Sequence, residues 1–210
     1  MVFHLVFLSI TCVFLTTASA QLIPFAFWSN KKCTVENVQE VISSNNSSAD
    51  YFGKGTAFSA DGTTVLVGAR HENTLGVSLS GAAYVFTHNG TSWLEQAKLI
   101  ASSQDSGDLF GRALSLTADG NRAAVASHLK NSPANDAGSV QIFRRSGSTW
   151  TSEQSLTASD AQASDQFGFS VEISEDATTI IVGAQGEDTG STDAGSAYIF
   201  TRSGTTWTQQ

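Results

Sequence analysis

Acid–base, metal or nucleophilic chemistry would have to come from few residues in this chain. Beyond residue 20 the histidines are His71, His88 and His128, and none stands at ligand spacing from another His, a Cys or a paired acid. No zinc signature forms. There is no Gly-x-Ser-x-Gly elbow, no phosphate-binding loop and no dinucleotide fingerprint. Oxygen donors of the kind a hard cation takes gather in three polar stretches. These are Glu72 with Asn73, then Asn135 with Asp136, then Glu187, Asp188 and Asp193. Their positions do not repeat cleanly, which reads as solvated loop acids, so no metal is expected. His71 and His128, in or beside the same stretches, read as surface residues. No catalytic residue is assigned, and the chain is not expected to be an enzyme.

The elements that carry these residues are repeated. Asp50-Tyr51-Phe52-Gly53 returns as Asp108-Leu109-Phe110-Gly111 and Asp165-Gln166-Phe167-Gly168. Val67-Gly68-Ala69 returns as Val125-Ala126-Ser127 and Val182-Gly183-Ala184, and Gly81 to Phe86 returns as Gly138 to Phe143 and Gly195 to Phe200. Trp93, Trp150 and Trp207 are spaced by 57 residues. A fixed period with a length change confined to one loop marks a repeat architecture. Each copy reads as four short strands, with Asp61-Gly62 and Asn89-Gly90 as turns and no helical periodicity. The expected fold is all-β: β-propeller-type repeats of four-stranded antiparallel blades, about three of them, forming a partial or small propeller.

The repeats run 50–107, 108–164 and 165–210, the last expected to lack its final strand. Within 21–49, residues 35–44 align with the last strand of a copy that would precede the first, and so read as a strand closing the ring with the other chain end. A piece of a longer protein, an unusually small ring and a combination of two chains all remain open. Phe52, Phe110 and Phe167 suit wedges between blades, Gly53, Gly111 and Gly168 allow close approach or a bulge, and Gly68, Ala69, Gly183 and Ala184 suit a crowded axis. Trp93, Trp150 and Trp207, just after a turn, can cover a blade edge.

Residues 1–20 read as a signal peptide. Val2 to Leu15 is nearly continuous apolar sequence, and Ala18-Ser19-Ala20 predicts cleavage after Ala20, hence a secreted protein with no membrane span in the mature chain. Cys33 is then the lone cysteine, expected to be buried or indifferent, with no internal disulfide. Sequons at Asn45, Asn46 and Asn89 are candidate glycosylation sites. The net charge of −8 argues against nucleic acid and anionic membranes as partners.

Phe-Gly followed by Val-Gly-Ala and then Gly-x-x-Tyr-x-Phe resembles the FG-GAP repeats of integrin α subunits and related secreted proteins. The resemblance covers about residues 50–210 and implies a β-propeller. Two departures stand out. The proline expected after Gly-Ala is replaced by Arg70, His128 and Gln185. The calcium loop such blades often carry is reduced to Asp61-Gly62, Asp119-Gly120 or Asp176-Ala177, and one carboxylate cannot supply six to eight oxygens. No cofactor is therefore expected; calcium, which the family often holds, lacks its usual loop here. The resemblance implies a secreted or cell-surface binding or adhesion module whose loops at 70–80, 128–137 and 185–194 recognise an extracellular protein or glycan. Tyr84, Tyr198 and the tryptophans are conceivable sugar contacts, with packing favoured for them. A non-catalytic portion of a larger secreted hydrolase and a passive surface coat are alternatives, and homo-oligomers or further blades would complete the ring.

Overall fold

The computed structural model describes residues 5–10, 35–45, 47–188, 191 and 194–210. Strands β1 (Leu5–Ile10) and β2 (Val35–Val41) pair with each other. The first module holds β3 (Phe52–Phe58), β4 (Thr64–Ala69), β5 (Ala82–His88) and β6 (Trp93–Leu99). The second holds β7 (Leu114–Leu116), β8 (Arg122–Ser127), β9 (Ser139–Ser146) and β10 (Thr149–Leu156). The third holds β11 (Phe167–Ile173), β12 (Thr179–Ala184), β13 (Ser196–Ser203) and β14 (Thr206–Gln209). Each module is one four-stranded antiparallel sheet with its strands in chain order, and no helix occurs among the described residues. Among the described residues no helix is long and apolar enough to cross a membrane.

One sequence expectation needs correction. The third module does not lack its last strand: β14, only four residues long, pairs with β13 from Phe200↔Gln209 to Ser203↔Thr206. Its Trp207 is buried, and that apolar anchor holds the short strand in place. For 35–44, expected to close the ring with the other chain end, the structure pairs β2 with β1. The alignment that motivated the idea does locate β2 correctly. Val41 is buried against Phe52 as Leu99 is against Phe110 and Leu156 against Phe167. The cleavage position, Cys33, Asn46 and Asp193 lie outside the described residues.

The core lies between modules as much as within them. Leu66, Ala83, Val85 and Leu99 of the first module share one cluster with Phe110, Leu114, Leu116 and Phe143 of the second. Ala124, Ile142 and Leu156 of the second do the same with Phe167, Ile173 and Phe200 of the third. Burying one such phenylalanine contributes about 1.5–3 kcal/mol, so the aromatic wedges supply much of the adhesion between sheets. Successive first strands touch, β7 meeting β3 on one side and β11 on the other, and thus line a common axis. The outward face of the third module shows what a covered face lacks. Ile181 and Ile199 are 46% and 47% exposed, whereas their counterparts Leu66, Val85, Ala124 and Ile142 are fully buried.

Candidate functional site

The Phe-Gly turns are built the same way three times. Tyr51, Leu109 and Gln166 all have φ of +55°, and the glycines after the phenylalanines have φ near +90°. These two left-handed residues swing each Phe back into the seam. Leu109 and Phe110 donate backbone N–H bonds to Leu79 and Ser80 O, at 3.1 and 3.0 Å. Gln166 and Phe167 donate likewise to Asp136 and Ala137 O, at 3.0 and 2.8 Å. A Cβ at Gly81 would lie 2.1 Å from Phe110 O, and one at Gly68 would lie 1.9 Å from Gly111 O. Glycine there permits the modules to touch backbone to backbone.

The loops between the second and third strands are therefore first of all seams. Asn135 O accepts from Ser164 N at 2.8 Å, and Asp136 lends its carbonyl to the third module. Glu72 and Glu187, expected as solvated acids, are fully buried. Glu72 accepts from Tyr84 Oη at 2.8 Å, from Asn45 Nδ2 at 2.8 Å and from the Lys98 ammonium. Glu187 accepts from Tyr198 Oη at 2.9 Å. Their counterpart in the second module is Lys130, also buried, whose Nζ donates to Asp105 Oδ2 at 2.5 Å and Asp108 Oδ2 at 3.0 Å. The aspartates that open each Asp-x-Phe-Gly, Asp50, Asp108 and Asp165, are buried beside these groups. Burial and then the Glu72 charge push Asp50 up; burial and then Glu187 push Asp165 up. Burial alone would pull the Lys130 ammonium down, but its two carboxylate partners outweigh that and raise it. Buried charge is tolerated only when paired in this way. The signal for these groups was in the sequence: Glu72, Lys130 and Glu187 stand at equal distance from the three repeated aspartates, and comparing loop acids alone hid it.

Other assigned residues fall into place by the same geometry. Tyr84 and Tyr198 are buried with their hydroxyls committed to Glu72 and Glu187, so neither can meet a sugar. Trp150 Nε1 donates to Gln96 Oε1 at 2.9 Å, and Trp207 Nε1 to Glu153 Oε1 at 3.1 Å, each joining a last strand to that of the module before. Trp93 stacks edgewise on Phe58, with ring centroids 6.2 Å apart. Asp61 and Asp176 spend their carboxylates on Ser59 and Thr63, and on Ser174 and Thr178, which lowers both. Asp119 is lowered too, the bonds from Thr117 and Asn121 overcoming burial. These carboxylates are turn acceptors. No group of three side chains fit to hold a metal gathers among the described residues. Asn89 is exposed at the β5–β6 turn and uses only Oδ1 internally, accepting from Thr91 and Ser92 N. Asn45 has its amide nitrogen engaged by Glu72.

His71 is half-buried and edge-on to Tyr51, whereas His128 is 6% exposed and not a surface residue. Asn73 accepts from Leu79 N through Oδ1 at 2.8 Å, and Asp188 is exposed. That bond tightens the first loop around Thr74–Val77, where Leu75 and Gly76 have φ of +53° and +82° and Val77 N donates to Thr74 O at 2.9 Å. Two left-handed central residues make a tight turn that normally favours Asn-Gly. Here it carries a leucine, 83% exposed.

Four-stranded sheets set side by side around an axis, joined by repeated Phe-Gly seams, define a β-propeller module. The chain belongs to the FG-GAP repeat family, whose model matches residues 35–86, 93–143 and 150–200. The second and third matched units begin in a fourth strand and end in the third strand of the following sheet, so the family unit straddles a seam; the first begins in β2. Similar solved structures include Saccharomyces cerevisiae Sqt1 (13% identity, TM-score 0.49, 77% of this chain and 35% of that one). TolB from Acinetobacter baumannii is similar at 12% identity and TM-score 0.46, over 83% of this chain and 35% of that one. The Pseudomonas aeruginosa periplasmic gluconolactonase PpgL is similar at 14% identity and TM-score 0.49, over 82% and 44%. The chain thus spans less than half the length of these structures. Comparison with curated protein sequences finds no match.

Proposed function

We propose that the chain is a secreted or cell-surface, non-catalytic binding module that recognises an extracellular protein or glycan through the loops at one end of its blades. The observation that carries this reading is Leu75. A large apolar side chain stands 83% exposed at the tip of a tight turn, with exposed Leu79 beside it. The turn is held by the Thr74–Ser80 hydroxyl pair at 2.6 Å and by Asn73. A pre-ordered apolar tip loses little entropy on docking, which is what a binding hot spot needs. Secretion is supported by residues 1–20 as read above; removing them would take β1 away and free an edge of β2.

The test is a pull-down from extracellular material, followed by affinity measurement with the recovered partner, comparing wild type with Leu75→Ser/Leu79→Ser. Burying one leucine contributes about 1.5–3 kcal/mol, so the double variant should bind at least tenfold more weakly while melting as the wild type does. Unchanged affinity would remove the reading.

A further inference from the structure

We infer that the axial end of the seam between the first and second modules is an oxyanion-binding site, built from Arg70, Arg112 and His128. Arg70 and His128 follow the second strands of their modules, at the position where the resemblance led one to expect proline. Arg112 follows Gly111, whose carbonyl packs against Gly68, so the two arginines enter the seam from opposite sides. Arg112 lies flat on Phe169, its Cζ 3.7 Å from the ring centroid, and Nη1 donates to Phe169 O at 2.9 Å. His128 meets the same ring at its edge, with centroids 5.9 Å apart. Arg70 sits over Tyr51 at 5.3 Å. One aromatic ring thus holds a guanidinium and an imidazole together, and a second ring holds another guanidinium nearby.

These groups lack the partners their burial calls for. The ion pairs among the described residues involve Lys98, Arg122 and Lys130, and neither Arg70 nor Arg112 is in one. Arg70 Nε and His128 Nδ1 are buried without any hydrogen-bond partner, and His128 as a whole is more than nine-tenths buried. Unsatisfied buried polar atoms are rare in native proteins and call for an explanation. The remaining influences agree. Burial and then the neighbouring arginines push His128 down to about 4, and burial and then Arg70 lower Arg112. Among the described residues no salt bridge to a carboxylate offsets them. A chain with a net charge of −8 has therefore collected unneutralised guanidinium groups at one point of its axis. Guanidinium forks and an imidazole N–H are the donors that bind carboxylate, sulfate or phosphate oxygens. The site is independent of the Leu75 loop tip, so either can fail without the other.

The experiment is calorimetric titration of the full chain with sodium sulfate and with glucuronate, at constant ionic strength set by sodium chloride, with glucose as the neutral control. Saturable binding of sulfate and glucuronate alike is expected if the oxyanion itself is recognised, and binding of glucuronate alone if the sugar acid is. Arg70→Gln and His128→Asn should each weaken binding about tenfold, the loss of one charge-assisted hydrogen bond. Arg70→Gln should also melt at or above the wild-type temperature without anion, because it removes repulsion from Arg112. The inference is overturned if neither anion binds above the chloride background, or if both variants bind as the wild type does. It is equally overturned if Arg70→Gln lowers the anion-free melting temperature.

Discussion

Lys130 offers the clearest test of how the seams are held. Its ammonium lies 3.0 Å from Asp108 Oδ2 and 2.5 Å from Asp105 Oδ2. The two bonds differ in worth. Asp105 is 57% exposed, and an exposed pair contributes at most about 1 kcal/mol. Asp108 is 1% exposed, and its Oδ1 has no partner, so Lys130 is what neutralises it. Lys130→Met keeps the buried stem and deletes the charge. Breaking a buried pair from one side leaves the other ion stranded, at a cost of about 3–5 kcal/mol. For a chain of this size that lowers the melting temperature by roughly 6–20 °C. Asp108→Asn in the same background removes the stranded charge yet keeps an oxygen for Asp105 N, which now donates to Asp108 Oδ2 at 2.8 Å. The double variant should recover at least half the loss. Urea unfolding of the four members of this cycle, followed by tryptophan fluorescence, measures the coupling. If Lys130→Met costs under about 1 kcal/mol, or if Asp108→Asn rescues nothing, the idea that the seam is organised around a neutralised aspartate is wrong.

Other perturbations separate the remaining contributions. Asp165 holds its proton more tightly folded than unfolded, so its contribution is full below the ordinary carboxylate range and is lost as pH rises through the raised folded value. Asp165→Asn should therefore stabilise the chain at about pH 8 and not at about pH 4 in thermal scans; a pH-independent difference would contradict this. Gly81→Ala forces φ of +83° and a Cβ 2.1 Å from Phe110 O, and should cost more than about 2 kcal/mol in urea midpoints. Gly90→Ala, with φ of +96° but open space, should cost only about 1; equal costs would mean that the seam yields. Deleting residues 21–44 removes β2 and uncovers Phe52, so light scattering should show aggregates, and a soluble monomer would argue that β2 is dispensable.

The frame was legible because repetition reports it directly. Phe52, Phe110 and Phe167 and the three tryptophans recur in register, and Phe110, Phe167, Trp150 and Trp207 sit where a sheet meets its neighbour. Sequence patterning handled β14 less well. Four residues are too few for a period to show, and Trp207 holds the strand by contacts with Glu153 and Gln154 of another module. Burial of polar side chains was the larger miss. Glu72, Lys130 and Glu187 look like loop residues because nothing local to a charged side chain says that a tyrosine or an aspartate from a distant strand will cover it.

That miss changes what variation among the repeats means. The three loops differ, and difference on a constant scaffold invites a functional reading. Much of it is compensation instead. Where the first module has Glu72, it also has Tyr84 to donate and Lys98 to neutralise. Where the second has Lys130, the tyrosine position becomes Gln141, which bonds Ser102 and Ser152, and Asp105 joins Asp108. Where the third returns to Glu187 it returns to Tyr198, and Asp165 is left to share its site with a second carboxylate. Each set is a different solution to one problem, an aspartate sealed at the base of a Phe-Gly turn. Variable positions inside that lattice say nothing about ligands. Those that the seams do not need are of two kinds: Leu75, projecting from a turn that requires no leucine, and the arginines of the axis, which form no salt bridge among the described residues.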